Sequence, residues 1–106
     1  MRKIEEAMCA AVEARRNWSC GNTRVQVRDG GNWVKVFLFD NLIYTDCQES
    51  GERRFTLAGW NTTTTRNRLN ALGVGVSTRK DRNSDVSTPR YNGQAIDKNK
   101  WYIINK

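Results

Sequence analysis

Eight basic side chains, Arg53, Arg54, Arg66, Arg68, Arg79, Lys80, Arg82 and Arg90, stand between positions 53 and 90 against only Asp81 and Asp85. That segment therefore holds +6 of the chain's net +7. The stretch before it, Asp29 to Glu52, sets five acids against Lys35 for a net −4. Arginine's planar fork matches phosphate and carboxylate better than any other side chain, and charge separated in this way gives the molecule a directed field. A polyanion, nucleic acid first, is the partner this pattern predicts. Contact would be made with phosphates through the arginine-rich segment.

Within that segment the block Trp60 to Gly73 offers the most specific chemistry. Its threonine run, Thr62 to Thr65, suits a helix start. Leu69 and Leu72 sit three apart, and Gly73 suits a helix end. A helix N-terminus presents unpaired N–H groups and partial positive charge, and here Thr64, Arg66 and Arg68 lie within its first turns, an arrangement that suits a phosphate oxygen. Helical spacing puts Arg66 on one face with Asn70 and turns Arg68 elsewhere. The plainer reading is a well-capped helix with two surface arginines. Among the aromatic residues, Trp18, Trp33 and Trp101 border apolar patterns and are expected as core or staple residues. Trp60 and Tyr91, beside basic residues and turns, are the two rings expected to meet a base.

Catalysis is not expected. The chain has no histidine, the usual general base near neutral pH. Glu5 and Glu6 are adjacent acids in a first helical turn, where acids complement the helix dipole. Gly73-Val74-Gly75 is too short and lies on the wrong side of a helix to cradle phosphate. Cys9, Cys20 and Cys47 are odd in number and lack C-x-x-C spacing, so neither a full disulfide framework nor a zinc site is expected, but three reduced thiols. No metal and no cofactor is expected. No apolar run reaches the roughly 18 residues of a membrane span, and the basic start leads into Glu5 and Glu6 rather than a signal-type segment, so no membrane role is expected.

The elements that must position these groups follow from periodicity. Ile4, Met8, Ala11 and Val12 recur at helical spacing, predicting an amphipathic helix that ends near Asn17 to Gly21. From Thr23 the period becomes two. Thr23 to Arg28, Trp33 to Phe39, Leu42 to Cys47 and Arg53 to Leu57 read as four strands, joined by Asp29-Gly30-Gly31-Asn32, Asp40-Asn41 and Gln48 to Glu52. The short helix follows, then a strand over Val74 to Lys80, a polar loop over Asp81 to Pro89, a hairpin turn at Asn92-Gly93, and a terminal strand over Trp101 to Ile104. The expected fold is one α+β domain over residues 1–106. It has an N-terminal helix, a four-stranded antiparallel meander, a short second helix and a C-terminal hairpin, with a single layer of helices on one sheet and the other sheet face partly open. An open face carrying basic and aromatic residues is a common nucleic-acid platform. The element order nevertheless matches neither the RNA-recognition motif, whose RNP sequence is absent, nor an OB-fold, and it only approaches a double-stranded-RNA domain.

The blocks Phe55-Thr56-Leu57-Ala58-Gly59-Trp60, Thr64-Thr65-Arg66-Asn67-Arg68-Leu69-Asn70-Ala71-Leu72, Val76-Ser77 and Tyr91-Asn92-Gly93-Gln94 resemble a family of small bacteriophage proteins with no established activity. The Gly-Trp to Thr-Thr-Arg part is the most specific, and the similarity covers most of the chain. No functional residues carry over. The resemblance implies a phage protein acting in the host bacterial cytoplasm. Two functions follow: a non-enzymatic nucleic-acid-binding protein, or alternatively an inhibitor of a host defence or host machine, of anti-CRISPR or anti-restriction type, that binds a host protein complex. A small structural or assembly protein is the third class.

Overall fold

The computed structural model describes residues 2–80 and 87–104. Helix α1 spans Lys3–Ala14, with Met8 and Ala11 fully buried. Glu5 Oε1 accepts a hydrogen bond from the Arg2 N–H at 3.2 Å, satisfying one of the donors a helix start leaves open. The helix stops short of the expected Asn17 to Gly21 end. Arg15 takes a left-handed φ of 53°, and the Arg16 N–H reaches back to the Ala11 carbonyl at 3.0 Å, a Schellman closure. The Arg15 side chain holds that ending in place by donating to the Asn32 carbonyl at 2.8 Å and lying 3.5 Å from Asp46. The residues so released form a strand that the periodicity does not announce, β1 (Trp18–Cys20).

Strands β2 (Thr23–Arg28), β3 (Trp33–Leu38), β4 (Asn41–Cys47) and β5 (Arg53–Phe55) form the meander the alternation predicts, with a 3₁₀ turn at Asp29–Gly31. Between β3 and β4 the register slips: Val36 faces Tyr44 while Phe37 faces Leu42. Ile43 is the extra residue, and this bulge lets Ile43 and Tyr44 both be buried at about 1% exposure, which regular alternation forbids.

Helix α2 (Thr63–Ala71) starts as its threonines suggest. Thr62 Oγ1 accepts the Thr65 N–H at 3.2 Å, and Gly73, at φ 87°, lets the Val74 N–H close on the Leu69 carbonyl at 3.1 Å. Strands β6 (Val76–Lys80), β7 (Ser87–Tyr91) and β8 (Gln94–Ala95) then form a separate three-stranded sheet. Its β7–β8 turn is Asn92-Gly93, with both residues at positive φ as a two-residue hairpin needs. Ser87 to Pro89, read as loop, are strand. The rest of that predicted loop, residues 81–86, lies outside the described residues. The last described strand, β9 (Tyr102–Ile103), pairs with β5 and completes a six-stranded antiparallel sheet of order β1-β2-β3-β4-β5-β9.

This is an α+β fold. Both helices pack on the face of the large sheet that carries Thr23, Val25, Val34, Val36, Leu38, Tyr44 and Phe55. The same core reaches the small sheet through Val76 and Tyr91. Phe55, with no exposure, meets the Tyr91 ring edge-on at 4.9 Å and stacks on Tyr102 at 5.7 Å.

Candidate functional site

Because side chains alternate along a strand, burying one face of the large sheet fixes what stands on the other. Register places Arg28 opposite Trp33 and Arg24 opposite Phe37, with Gln26, Lys35, Thr45, Arg54 and Ile103 in one row across five strands. Along β3 this face reads Trp33, Lys35, Phe37, a ring, a cation and a ring. Trp101, two residues before Ile103, closes the row's end and is 42% exposed. Neither helix packs here. The result is a shallow concavity of about 810 Å³ lined by Gln26, Arg28, Trp33, Lys35, Phe37, Leu42, Thr45, Arg54 and Trp101, with Asp29 and Glu52 at its rim.

Four cations thus share one surface with three aromatic rings. The Arg24 guanidinium lies 4.5 Å from the centre of the Phe37 ring and 3.6 Å from the Asp40 carboxylate, which is 90% exposed. Arg54 bonds to Glu52 through Nε. Both pairs are solvent-exposed, and exposed ion pairs are worth about 0–1 kcal/mol, so an incoming anion can displace either carboxylate at little cost.

Among the described side chains, the arginines singled out from the sequence, Arg53, Arg54, Arg66, Arg68 and Arg90, do not gather on a common surface. Of these, Arg54 alone joins the open sheet face. Arg53 points to the helix side, where Nε donates to the Tyr44 hydroxyl at 2.8 Å and Nη2 to the Leu72 carbonyl at 2.6 Å, a cation closing the C-terminal end of α2. Arg68 is inside the protein at 3% exposure, with Nη1 3.4 Å from Glu5 Oε2 and Nε donating to Thr23 Oγ1 at 3.0 Å. It therefore offers nothing to a phosphate. Arg66 folds back on Asn61, donating to Oδ1 at 2.6 Å, and Arg90 donates to the Gly93 carbonyl at 2.8 Å. Arg79 and Lys80 belong to β6, and Arg82 lies outside the described residues.

The expected base-contacting rings divide. Tyr91 is core, 8% exposed. Trp60 is 58% exposed, but it stands on the helix side of the sheet, where Trp60, Phe39 and Thr64 help line an apolar pocket of about 350 Å³ with Leu38, Ile43 and Leu57. Trp33 and Trp101, expected as core or staple residues, face the open side instead.

Among the described residues, no cluster of three or more His, Cys, Asp or Glu is placed to hold a metal, and no helix is long and apolar enough to cross a membrane. The three thiols are free. Burial, reinforced by Glu5 and Glu13, raises the Cys9 pKa, whereas hydrogen bonds from the Ser50 hydroxyl and backbone lower that of Cys47.

Residues 1–102 match the family model described as Kyanoviridae Gp96 protein. The chain belongs to that family. Membership fixes a bacteriophage context and brings no assigned activity, in agreement with the resemblance carried by the Gly59-Trp60 to Arg66 block. No curated protein and no solved structure matches the chain. What the Gp96 family member displays on its open sheet face was present in the sequence as a weak signal. Lys35 stands between Trp33 and Phe37 on the parity of β3 that shares a face with Arg24, Gln26 and Arg28 of β2, and a charged residue among rings marks the solvent side of a strand whose other parity is wholly aliphatic.

Proposed function

We propose that this phage protein is a non-enzymatic nucleic-acid-binding protein that works in the host cytoplasm and binds across the open face of its six-stranded sheet. One observation carries the reading: Arg24, Arg28, Lys35 and Arg54 alternate with Trp33, Phe37 and Trp101 on a face that neither helix covers. Cations supply phosphate contacts and rings supply surface for bases. The experiment is oligonucleotide affinity against salt concentration. Each phosphate neutralised adds about 0.7 to the log–log slope for a single strand and about 0.9 for a duplex. Lys35→Ala and Arg28→Ala are expected to lower both affinity and slope, while Arg66→Ala and Arg90→Ala leave the slope unchanged. Equal slopes for all four variants would contradict the assignment of this face.

A second reading, inhibition of a host defence or host machine through protein binding, draws support from the acids Asp29, Asp40 and Glu52 around the same face. Arginine and tryptophan are also the residues that dominate protein interfaces. A pull-down from host lysate, with and without nuclease treatment, separates the two. A partner that survives nuclease supports inhibition, and a partner lost with the nucleic acid supports the first reading.

A further inference from the structure

Resting on the nucleic-acid reading of the open face, we infer that the ligand is a single strand whose bases stack on Trp33, Phe37 and Trp101, and not a duplex. Trp33 and Phe37 are two residues apart on β3, so their rings repeat at about 6.6–6.8 Å along the strand with Lys35 between them. Arg28 is the register partner of Trp33 on β2, and the Arg24 guanidinium lies over the Phe37 ring, 4.5 Å from its centre. A base stacking on Phe37 takes the place of that guanidinium over the ring and leaves the cation at its side for the phosphate. A duplex keeps its base faces against one another and shows a protein only edges and backbone, so rings laid along a shallow sheet face would find nothing to stack on.

Charge points the same way. The face sets Arg24, Arg28, Lys35 and Arg54 against Asp29, Asp40 and Glu52, four cations against three acids. A duplex carries a negative charge about every 1.7 Å and is held chiefly through its phosphates, a demand that so nearly balanced a face meets poorly. A single strand takes much of its affinity from stacking, which salt does not screen. At most four phosphates can be neutralised here, so the single-strand salt slope should not exceed about 3 in magnitude, with substantial binding left at high salt.

The test is a fluorescence titration of the protein with oligothymidylate and oligouridylate of about 12 nucleotides, inside the 4–16 typical of stacking platforms, and with a duplex of equal length. The single strands are expected to bind at least about 10-fold tighter than the duplex and to quench tryptophan emission. Trp33→Ala or Phe37→Ala is expected to weaken single-strand binding by about 5- to 150-fold with the salt slope unchanged. Trp101→Ala, at a 42% exposed site, gives the same reading where removal of a β3 ring harms folding. Trp60→Ala, on the helix side, should change nothing but the fluorescence baseline. The deoxy and ribo arms decide which sugar is preferred. If duplex and single strand bind equally, and Lys35→Ala weakens both while the ring variants weaken neither, the single-strand inference is overturned and the nucleic-acid reading stands. If no oligonucleotide binds, both are overturned.

Discussion

Replacing Arg68 by alanine tests whether this arginine is a structural group and not a phosphate ligand. Its guanidinium joins three elements, reaching Glu5 on α1 and Thr23 on β2 from its own place on α2. Both charged side chains are under 8% exposed, and Nη1, although within ion-pair range of Glu5, makes no hydrogen bond. Removing the cation leaves a buried carboxylate whose remaining polar contact is the Arg2 N–H at 3.2 Å. Breaking a buried pair from one side costs about 3–5 kcal/mol. Against a total stability of roughly 5–15 kcal/mol that is a large fraction, and at about 4 °C per kcal/mol it lowers Tm by about 12–20 °C. Urea unfolding followed by circular dichroism measures it. Replacing both partners by groups of similar volume, Glu5→Gln with Arg68→Met, should recover most of the loss, because no unpaired charge is then buried. Were Arg68→Ala to unfold within about 0.5 kcal/mol of the parent, as surface substitutions do, the interior placement of Arg68 would be refuted.

Phe39 and Asp40 both hold left-handed φ values, 49° and 63°, and Phe39 is 66% exposed, so Phe39→Asn should raise the urea midpoint by relieving roughly 1 kcal/mol of backbone strain; a lowered midpoint would show that the ring is held by packing. Burial raises the pKa of Tyr44 above its ordinary 10.0, against the opposing hydrogen bond and charge of Arg53, and burial raises Cys9 above 9.0. A raised folded-state value gives stability that is whole below the unfolded pKa and drains away as pH rises, so the urea midpoint should fall from about pH 9 upward. Tyr44→Phe should flatten the part of that fall above pH 10, at a cost of about 1–2 kcal/mol for leaving Arg53 Nε without its acceptor. In alkylation followed by mass spectrometry, exposed Cys20 should react first, ahead of Cys9, whose thiol donates to the Ala71 carbonyl at 3.2 Å, and of buried Cys47. Faster labelling of Cys9 than of Cys20 would contradict the packing of α1 on α2.

Much of the scaffold can be read from local pattern because its causes are local. The alternation of Thr23 to Arg28, the Asn92-Gly93 turn and the Thr62 cap each express an interaction between residues a few positions apart. Strand β1 is three residues long, too short to show a period, and it exists because Arg15 ends the helix early. The destinations of the arginines depend on partners far along the chain. Arg68 finds Glu5 across 63 positions and Arg53 finds the Leu72 carbonyl across 19, distances at which charge counting is blind. Among the described side chains, clustering along the sequence therefore did not become clustering in space. The open face was hidden for another reason: β3 carries apolar residues on both parities, so Trp33 and Phe37 resemble core until the packing of Val34, Val36 and Leu38 under the helices shows which side is closed.

Photochemical cross-linking maps the surface that touches nucleic acid without relying on substitutions. A single-stranded oligonucleotide carrying a photoreactive pyrimidine, irradiated with the protein and analysed by peptide mass spectrometry, should attach to Trp33, Phe37 or Trp101, with loss of each adduct at high competitor concentration. Attachment concentrated instead at Trp60, or on the three-stranded sheet around Arg90, would contradict the assignment of the six-stranded sheet's open face as the binding surface.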